Sequence, residues 1–490
     1  MPETLTLSRA ARLAGVTRAV LQKRIRRGEI TTFEGEVAIS DLLRVYPSVT
    51  LEKTGMLEQV ERIKQDAVPR SHDADAVLPD PQVLFSRLKA LSKVLEAKVA
   101  ALNTAEALLD TVTARLTAVA DGPRDALSKQ LRETLAWLAG EREREAVEPP
   151  ADARAQLFAS DSFLRIMAAN VKIIPSGHDF FVDGTESILD ASVRAGLKMS
   201  YGCSSGNCGD CKARVISGEV WKMREHDYVL SQREKQMGYV LTCSNTAVTD
   251  IVIEAAEAVS VDDLPEQRIR AGVRKIERVS PGLILLHIQT PRTQTLRFMA
   301  GQRAWLTLEN GASAEMPIAS CPCNGRNLLF YVRQEPGDDL SEYVFDGLQT
   351  GQMVELKGPT GRFVLDEDSP EPAVFVAFGD AIAPIKSLIE HAVSIDIIDA
   401  FHLYWTTCQP EGHHQGKWGR ALNDALDNFS FTPLCTDSVG DVLATVLSDH
   451  PEPGQLRYYL AGGDNQVSEL AEALQQLGVD PSRIAMESLW

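Results

Sequence analysis

The chain lacks any run of roughly eighteen or more apolar residues, so no membrane-spanning helix is expected along its 490 residues. Its opening stretch, MPETLTLSRAARLAG, mixes acids with bases and has no secretory apolar core. Cysteine is too sparse for a disulfide framework. Cys321, Cys323, Cys408 and Cys435 are scattered, which fits partly buried thiols in a reducing cytoplasm. Surplus positive charge is missing as well. A formal net charge of −18 argues against nucleic-acid binding by the chain as a whole. With 44% hydrophobic and 24% charged residues, the composition is that of a soluble globular protein. The length suits three or four domains, and a cytoplasmic location is expected.

Charge is not spread evenly. Residues 1–50 carry eight Lys and Arg against five acids. Ser8 is placed to cap a helix over Arg9–Ala14, Gly15 to turn the chain, and Thr17 to cap a second helix through Arg27. TTFEG and VAIS then suggest a small β-wing. The pattern resembles the winged helix-turn-helix of MerR-like and excisionase-like modules. That resemblance implies DNA contacts from Arg18, Lys23, Arg24, Arg26 and Arg27. A solvated basic face on a docking module is the alternative.

Residues 51–82 read as a linker, and a heptad follows within 83–145. Leu88, Leu95, Leu102, Leu109 and Leu116 recur every seven residues. Leu84, Leu91, Lys98, Ala105, Val112 and Val119 form the complementary seam, broken only by Lys98. A repeat this long predicts a coiled coil, and hence a homo-oligomer through 84–119. The Asp121–Pro123 break and Leu127, Leu131, Leu135 and Leu138 leave an intramolecular helical hairpin open. A second linker is expected over 146–167.

The stretch Tyr201–Cys211, YGCSSGNCGDC, sets Cys203, Cys208 and Cys211 in C-x4-C-x2-C spacing, with Cys243 about thirty residues later. Zinc ligands usually come as paired short spacings, which this triad is not. It is the plant-type ferredoxin arrangement, and the resemblance implies a [2Fe–2S] cluster on these four thiolates. Gly202, Gly206 and Gly209 would let amides approach the sulfides. Around this loop VKIIP, HDFFVDG, SILDASVRAGL, KARVISGEV and TDIVIEA resemble a β-grasp ferredoxin over 168–258.

Residues 265–490 resemble the flavin- and nicotinamide-dependent ferredoxin reductases, in the phenol-hydroxylase and deoxysugar flavour. The resemblance rests on Gly358-Pro359-Thr360-Gly361-Arg362-Phe363, the apolar strand Val374–Gly379 and Ile382-Ala383-Pro384 opening a helix. It implies a β-barrel over 265–368 and a doubly wound parallel α/β domain over 369–490. Ser341, Gly358, Pro359 and Gly361 are the positions it assigns to cofactor binding. The fold class is therefore multidomain, α+β with α/β: winged helix-turn-helix, coiled coil or hairpin, β-grasp ferredoxin, barrel and doubly wound domain.

The family's nucleotide motifs are altered here. Arg-x-Tyr-Ser is replaced by Ala314-Glu315-Met316-Pro317, and Gly-Gly-x-x-Ser by Gly337-Asp338-Asp339-Leu340-Ser341. The glycine-rich nicotinamide turn has become Phe378-Gly379-Asp380-Ala381-Ile382-Ala383-Pro384, and Cys-Gly-Pro has become Ala461-Gly462-Gly463. Lost cations and added carboxylates oppose FAD binding and, still more, NAD(P)H binding. Cys321-Pro322-Cys323 raises the option of a redox dithiol. His413-His414 is expected in a surface loop, and Trp490 is expected to pack.

No catalytic residue is assigned on the sequence. The reading that follows is a [2Fe–2S] protein exchanging single electrons with a partner redox enzyme. Two alternatives stand beside it: a redox-responsive DNA-binding regulator, and an active NAD(P)H-dependent reductase component of an oxygenase.

Overall fold

A computed structural model describes residues 4–33, 36–46, 79–120, 131–137, 161, 163–224, 229–291, 293–367, 369, 371–396, 398–408 and 412–489. Most of both expected linkers, the Asp121–Pro123 break, Leu127, Leu138 and Trp490 lie outside these residues. No helix among the described residues is long and apolar enough to cross a membrane.

The N-terminal unit has helices α1 (Leu7–Ala14), α2 (Arg18–Arg26) and α3 (Ile39–Val45), with strands β1 (Thr4–Thr6), β2 (Thr32–Phe33) and β3 (Glu36–Ala38). The cap of α1 is Thr6 rather than Ser8: the Thr6 hydroxyl accepts from the Arg9 amide, and Gly15 closes the helix at φ 66°. Thr17 caps α2 as its position suggests. Arg9, 3% exposed, pairs with Asp161 at 2.7 Å and Asp250 at 2.6 Å, tying this unit to the sheet that follows.

Helix α4 runs unbroken over Pro81–Ala120. Its heptad leucines face outward: Leu95 is 65% exposed and Leu102 62%. Only its first turns are seated. Arg87 is 1% exposed and donates to the carbonyls of Ile166, Met167, Val182, Asp183 and Ala247 at 2.7–3.1 Å. Desolvation pulls its pKa down to about 10. Five carbonyl acceptors offset the cost of burying the charge.

A five-stranded sheet, ordered β5-β4-β10-β6-β8, builds the next unit from β4 (Ala169–Ile174), β5 (Asp179–Val182), β6 (Lys212–Ser217), β8 (Tyr239–Leu241) and β10 (Ile251–Glu254). A small ribbon pairs β7 (Val220–Lys222) with β9 (Asn245–Ala247). Alternating residues of β4 and β10 (Val171, Ile173, Ile251, Ile253) bury one face against helix α5 (Ile188–Arg194).

Six antiparallel strands then curl into a half-barrel ordered β14-β13-β16-β11-β12-β15. They are β11 (Gln267–Ser280), β12 (Leu283–Gln289), β13 (Arg303–Thr307), β14 (Ser313–Pro317), β15 (Asn327–Arg333) and β16 (Met353–Thr360). β12 is apolar on both faces for a reason. Ile284, Leu286 and Ile288 fill the barrel, whereas Leu283 and Leu285 join the core of the last domain.

That last domain is a parallel sheet ordered β19-β18-β17-β20-β21, from β17 (Ala373–Phe378), β18 (Phe401–Thr406), β19 (Phe429–Leu434), β20 (Arg457–Gly462) and β21 (Ile484–Ser488). Central β17 is buried on both faces, as a doubly wound strand must be. The order reverses between β17 and β20, and such a switch point is where nucleotides bind in this architecture. Helix α7 (Ile382–Ile395) lies between this sheet and the barrel and is buried along most of its length.

Candidate iron–sulfur centre and nucleotide crevice

The loop between α5 and β6 carries three of the four cysteines, and the turn after β8 carries Cys243. Gly206 and Gly209 sit at φ 84° and 87°, conformations that side chains resist, and they allow the loop to fold inward. Cys203, Cys211 and Cys243 are buried, while Cys208 is exposed at the rim.

The sulfurs fall into two pairs. Cys211 Sγ donates to Cys243 Sγ at 3.3 Å. The Cys208 amide donates to Cys203 Sγ at 3.4 Å, and the Asp210 amide to Cys208 Sγ at 3.5 Å. The hydrogen bond from Cys211 holds the Cys243 thiol down to about 7 and pushes Cys211 up. Burial opposes ionisation of Cys203, yet amides of Ser205 and Cys208 bring it down to about 6. Among the described residues no three metal-binding side chains gather around a single ion. Two thiolate pairs are what two irons need, so the donor set fits a [2Fe–2S] cluster. When bound, such a cluster supplies one-electron transfer. The amides aimed at sulfur would stabilise its reduced, more negative state. Arg224 braces the site, donating to the carbonyls of Ser204 at 2.6 Å and Cys243 at 3.4 Å.

The crevice between barrel and α/β domain has a different character. Ser341 lies in helix α6 (Asp339–Asp346), but its amide donates to the Asp338 carboxylate at 2.9 Å. Its hydroxyl donates to the Glu335 carbonyl at 2.9 Å, and the Gly337 amide donates to Glu342 at 3.0 Å. The chain's own carboxylates thus occupy the donors that a flavin phosphate would need. On β14, Glu315 accepts from Thr360 at 2.6 Å and faces Arg303, which also pairs with Glu487. Ala314 and Met316 pack against the barrel core. At the switch point Asp380 pairs with Arg333, and the Gly379 carbonyl accepts from Trp405 Nε1 at 2.8 Å. Gly358, Pro359 and Gly361 shape the β16 end beside Arg303. Five carboxylates (Glu315, Asp338, Glu342, Asp380 and Glu487) outnumber the two guanidiniums, Arg303 and Arg333. Like charge at these positions works against an FAD or nicotinamide pyrophosphate.

Other expected positions lie elsewhere. Arg18 donates to Asp179 at 3.2 Å and its amide to Asp396, and Arg26 pairs with Asp399. Arg24 pairs with Glu29 at 3.1 Å, and Lys23 and Arg27 are exposed. Three of the five cations expected on DNA are therefore engaged within the chain. His413 and His414 lie in a loop, half-buried. His413 Nε2 lies 2.8 Å from the Trp405 carbonyl, and His414 packs edge-on against Tyr331 and Trp405. Cys321 and Cys323, expected as ordinary thiols, form a disulfide. Sequence reasoning also missed Glu367, which bridges Lys198 of the cluster unit at 2.8 Å and His391 of α7 at 2.6 Å. Burial works against its charge, but His391 and Lys198 hold its pKa down to about 2.

Residues 171–248 match the family described as 2Fe-2S iron-sulfur cluster binding domain, and 270–365 match oxidoreductase FAD-binding domain. The chain is 30% identical over 308 residues to the CDP-6-deoxy-L-threo-D-glycero-4-hexulose-3-dehydrase reductase of Yersinia pseudotuberculosis. That alignment covers 60% of this chain and 91% of that protein. It is 25% identical to the propane 2-monooxygenase reductase component of Rhodococcus jostii, covering 61% and 85% respectively. The crystal structure of an Amycolatopsis cytochrome P450 reductase aligns with 24% identity and a TM-score of 0.43, covering 65% of this chain and 98% of that one.

Proposed function

The chain belongs to the reductase family that couples a [2Fe–2S] domain to an FAD-binding oxidoreductase domain, and on that premise we propose that it is the electron-transfer component of an oxygenase-type system. The observation that carries this reading is the pairing of four thiols in one loop-and-turn site with Cys208 at the surface. Cys203, Cys208, Cys211 and Cys243 hold the cluster, and the exposed rim hands single electrons to a partner redox enzyme. The chain's negative charge suits a basic docking surface on that partner. The division into units at 168–258, 265–368 and 369–490 is part of the proposal.

How the cluster is charged separates two versions. The FAD-binding match over 270–365, with a relative named as a ferredoxin–NAD(P)(+) reductase component, favours an NAD(P)H-dependent reductase. The carboxylates in the crevice favour a separate electron donor, and we adopt that version. The regulator reading has less support, because Arg18, Arg24 and Arg26 are turned onto carboxylates.

The deciding experiment is anaerobic titration of the purified protein with NADPH and NADH after acid-released flavin is measured. A cluster bleached by dithionite but not by nicotinamide, with flavin well below one per chain, is expected. Stoichiometric flavin with nicotinamide bleaching would establish the reductase version, and absence of any cluster would sink both. The exposed leucines of α4 are assigned to self-association. Leu95→Asp with Leu102→Asp is expected to reduce the mass measured by light scattering to that of one chain, and an unchanged mass would refute the assignment.

A further inference from the structure

Cys321 and Cys323 bracket Pro322 in a single 3-10 turn at the seam of three units. The turn packs against α5 of the cluster unit and against α7. Both cysteines are shielded from bulk solvent, at 1% and 7% exposure. On one side Cys323 lines a polar cavity of about 700 Å³ that Tyr201, Ser204 and Arg224 also line. Arg224 is the residue that donates to the Cys243 carbonyl, so the disulfide and a cluster-bearing segment share one cavity. On the other side the Cys321 amide donates to Glu390 Oε2 at 3.2 Å. Glu390 is paired with Lys386, and both are at most 2% exposed. The proposed function gives none of these four side chains a task.

We propose that Cys321–Cys323 is a second redox centre, a disulfide that is reduced through the [2Fe–2S] cluster and stores two electrons. The proposal rests on the cluster reading above. The sulfur–sulfur bond breaks as each sulfur gains one electron and one proton. The electrons come from two successive oxidations of the reduced cluster, which a low-potential one-electron donor recharges in between. The protons come from water entering the polar cavity. The buried Lys386–Glu390 pair keeps the turn in place while its covalent link opens. The result is a converter between single-electron and two-electron chemistry at the seam between units.

The test uses the full-length, cluster-loaded protein. It is reduced anaerobically with measured dithionite, quenched in acid, and alkylated under denaturing conditions for peptide mass analysis. Before reduction, the peptide bearing Cys321 and Cys323 should carry no label. After the cluster bleaches it should carry two, with about three electrons consumed per chain against about one for Cys321→Ser with Cys323→Ser. Bleaching of the cluster with the disulfide intact would overturn the proposal and leave the electron-transfer reading standing. So would thiols already free in the oxidised protein, or equal reduction of the disulfide in protein stripped of its cluster. Failure of the cluster to assemble or bleach would instead strike the proposed function, and this inference with it.

Discussion

At the cluster loop, the amides of Cys208 and Asp210 point at sulfur. In the crevice, the amides of Gly337 and Ser341 are already met by Glu342 and Asp338. One scaffold thus aims its amides at cysteine sulfurs at one site and at its own carboxylates at the other. The difference follows from how each site binds. A cluster is held by four covalent ligands whose loss is all or none. A dinucleotide is held by many small electrostatic terms, and single carboxylates can erode those one at a time.

The largest effect is expected at the intact end. Cys243→Ser should abolish stable cluster assembly, read as loss of the visible absorbance at unchanged far-ultraviolet dichroism, and retention of a full cluster would show that the sulfur pairs were misassigned. The second prediction reaches into the crevice. Asp380→Asn removes one like charge at the switch point and releases Arg333. It should tighten NADPH binding roughly tenfold, about 1.4 kcal/mol, in a calorimetric titration. No change would mean that the carboxylate does not set the nucleotide preference. The smallest effect concerns the bridge between the two ends. Glu367 has its folded-state pKa lowered to about 2 from 4.5. Its contribution is therefore complete above about pH 5 and fades as pH falls toward 2. Glu367→Gln should cost about 1–2 kcal/mol at neutral pH and flatten the acid limb of stability. A parallel acid limb in denaturant melts at several pH values would dismiss the bridge.

The cluster was legible because spacing along one short loop carries most of its geometry. Both faces of β12 were apolar in sequence, but which face met which core depended on the α/β domain packed behind it. Arg9 and Arg87 gave no warning of burial. Their acceptors lie far off in the chain, at Asp250 and Ala247, and arginine is ordinarily a surface residue. The Lys198–Glu367–His391 bridge was hidden for the same reason, since each member belongs to a different unit. The altered flavin motif could be read as lost complementarity. That Asp338 would cap its own helix, and so fill the vacant donors, required the folded geometry.

The seat of Arg87 has a mechanical consequence. A helix of 40 residues is about 60 Å long, and its one buried guanidinium lies near the first turns, hydrogen-bonded to a carbonyl four residues past Cys243. Roughly 50 Å of rod extends beyond that pivot. A tilt of about 5° at the pivot carries the far tip by about 4 Å. A small tilt at this seat would thereby be amplified into a displacement as large as a side chain at the far tip of the helix.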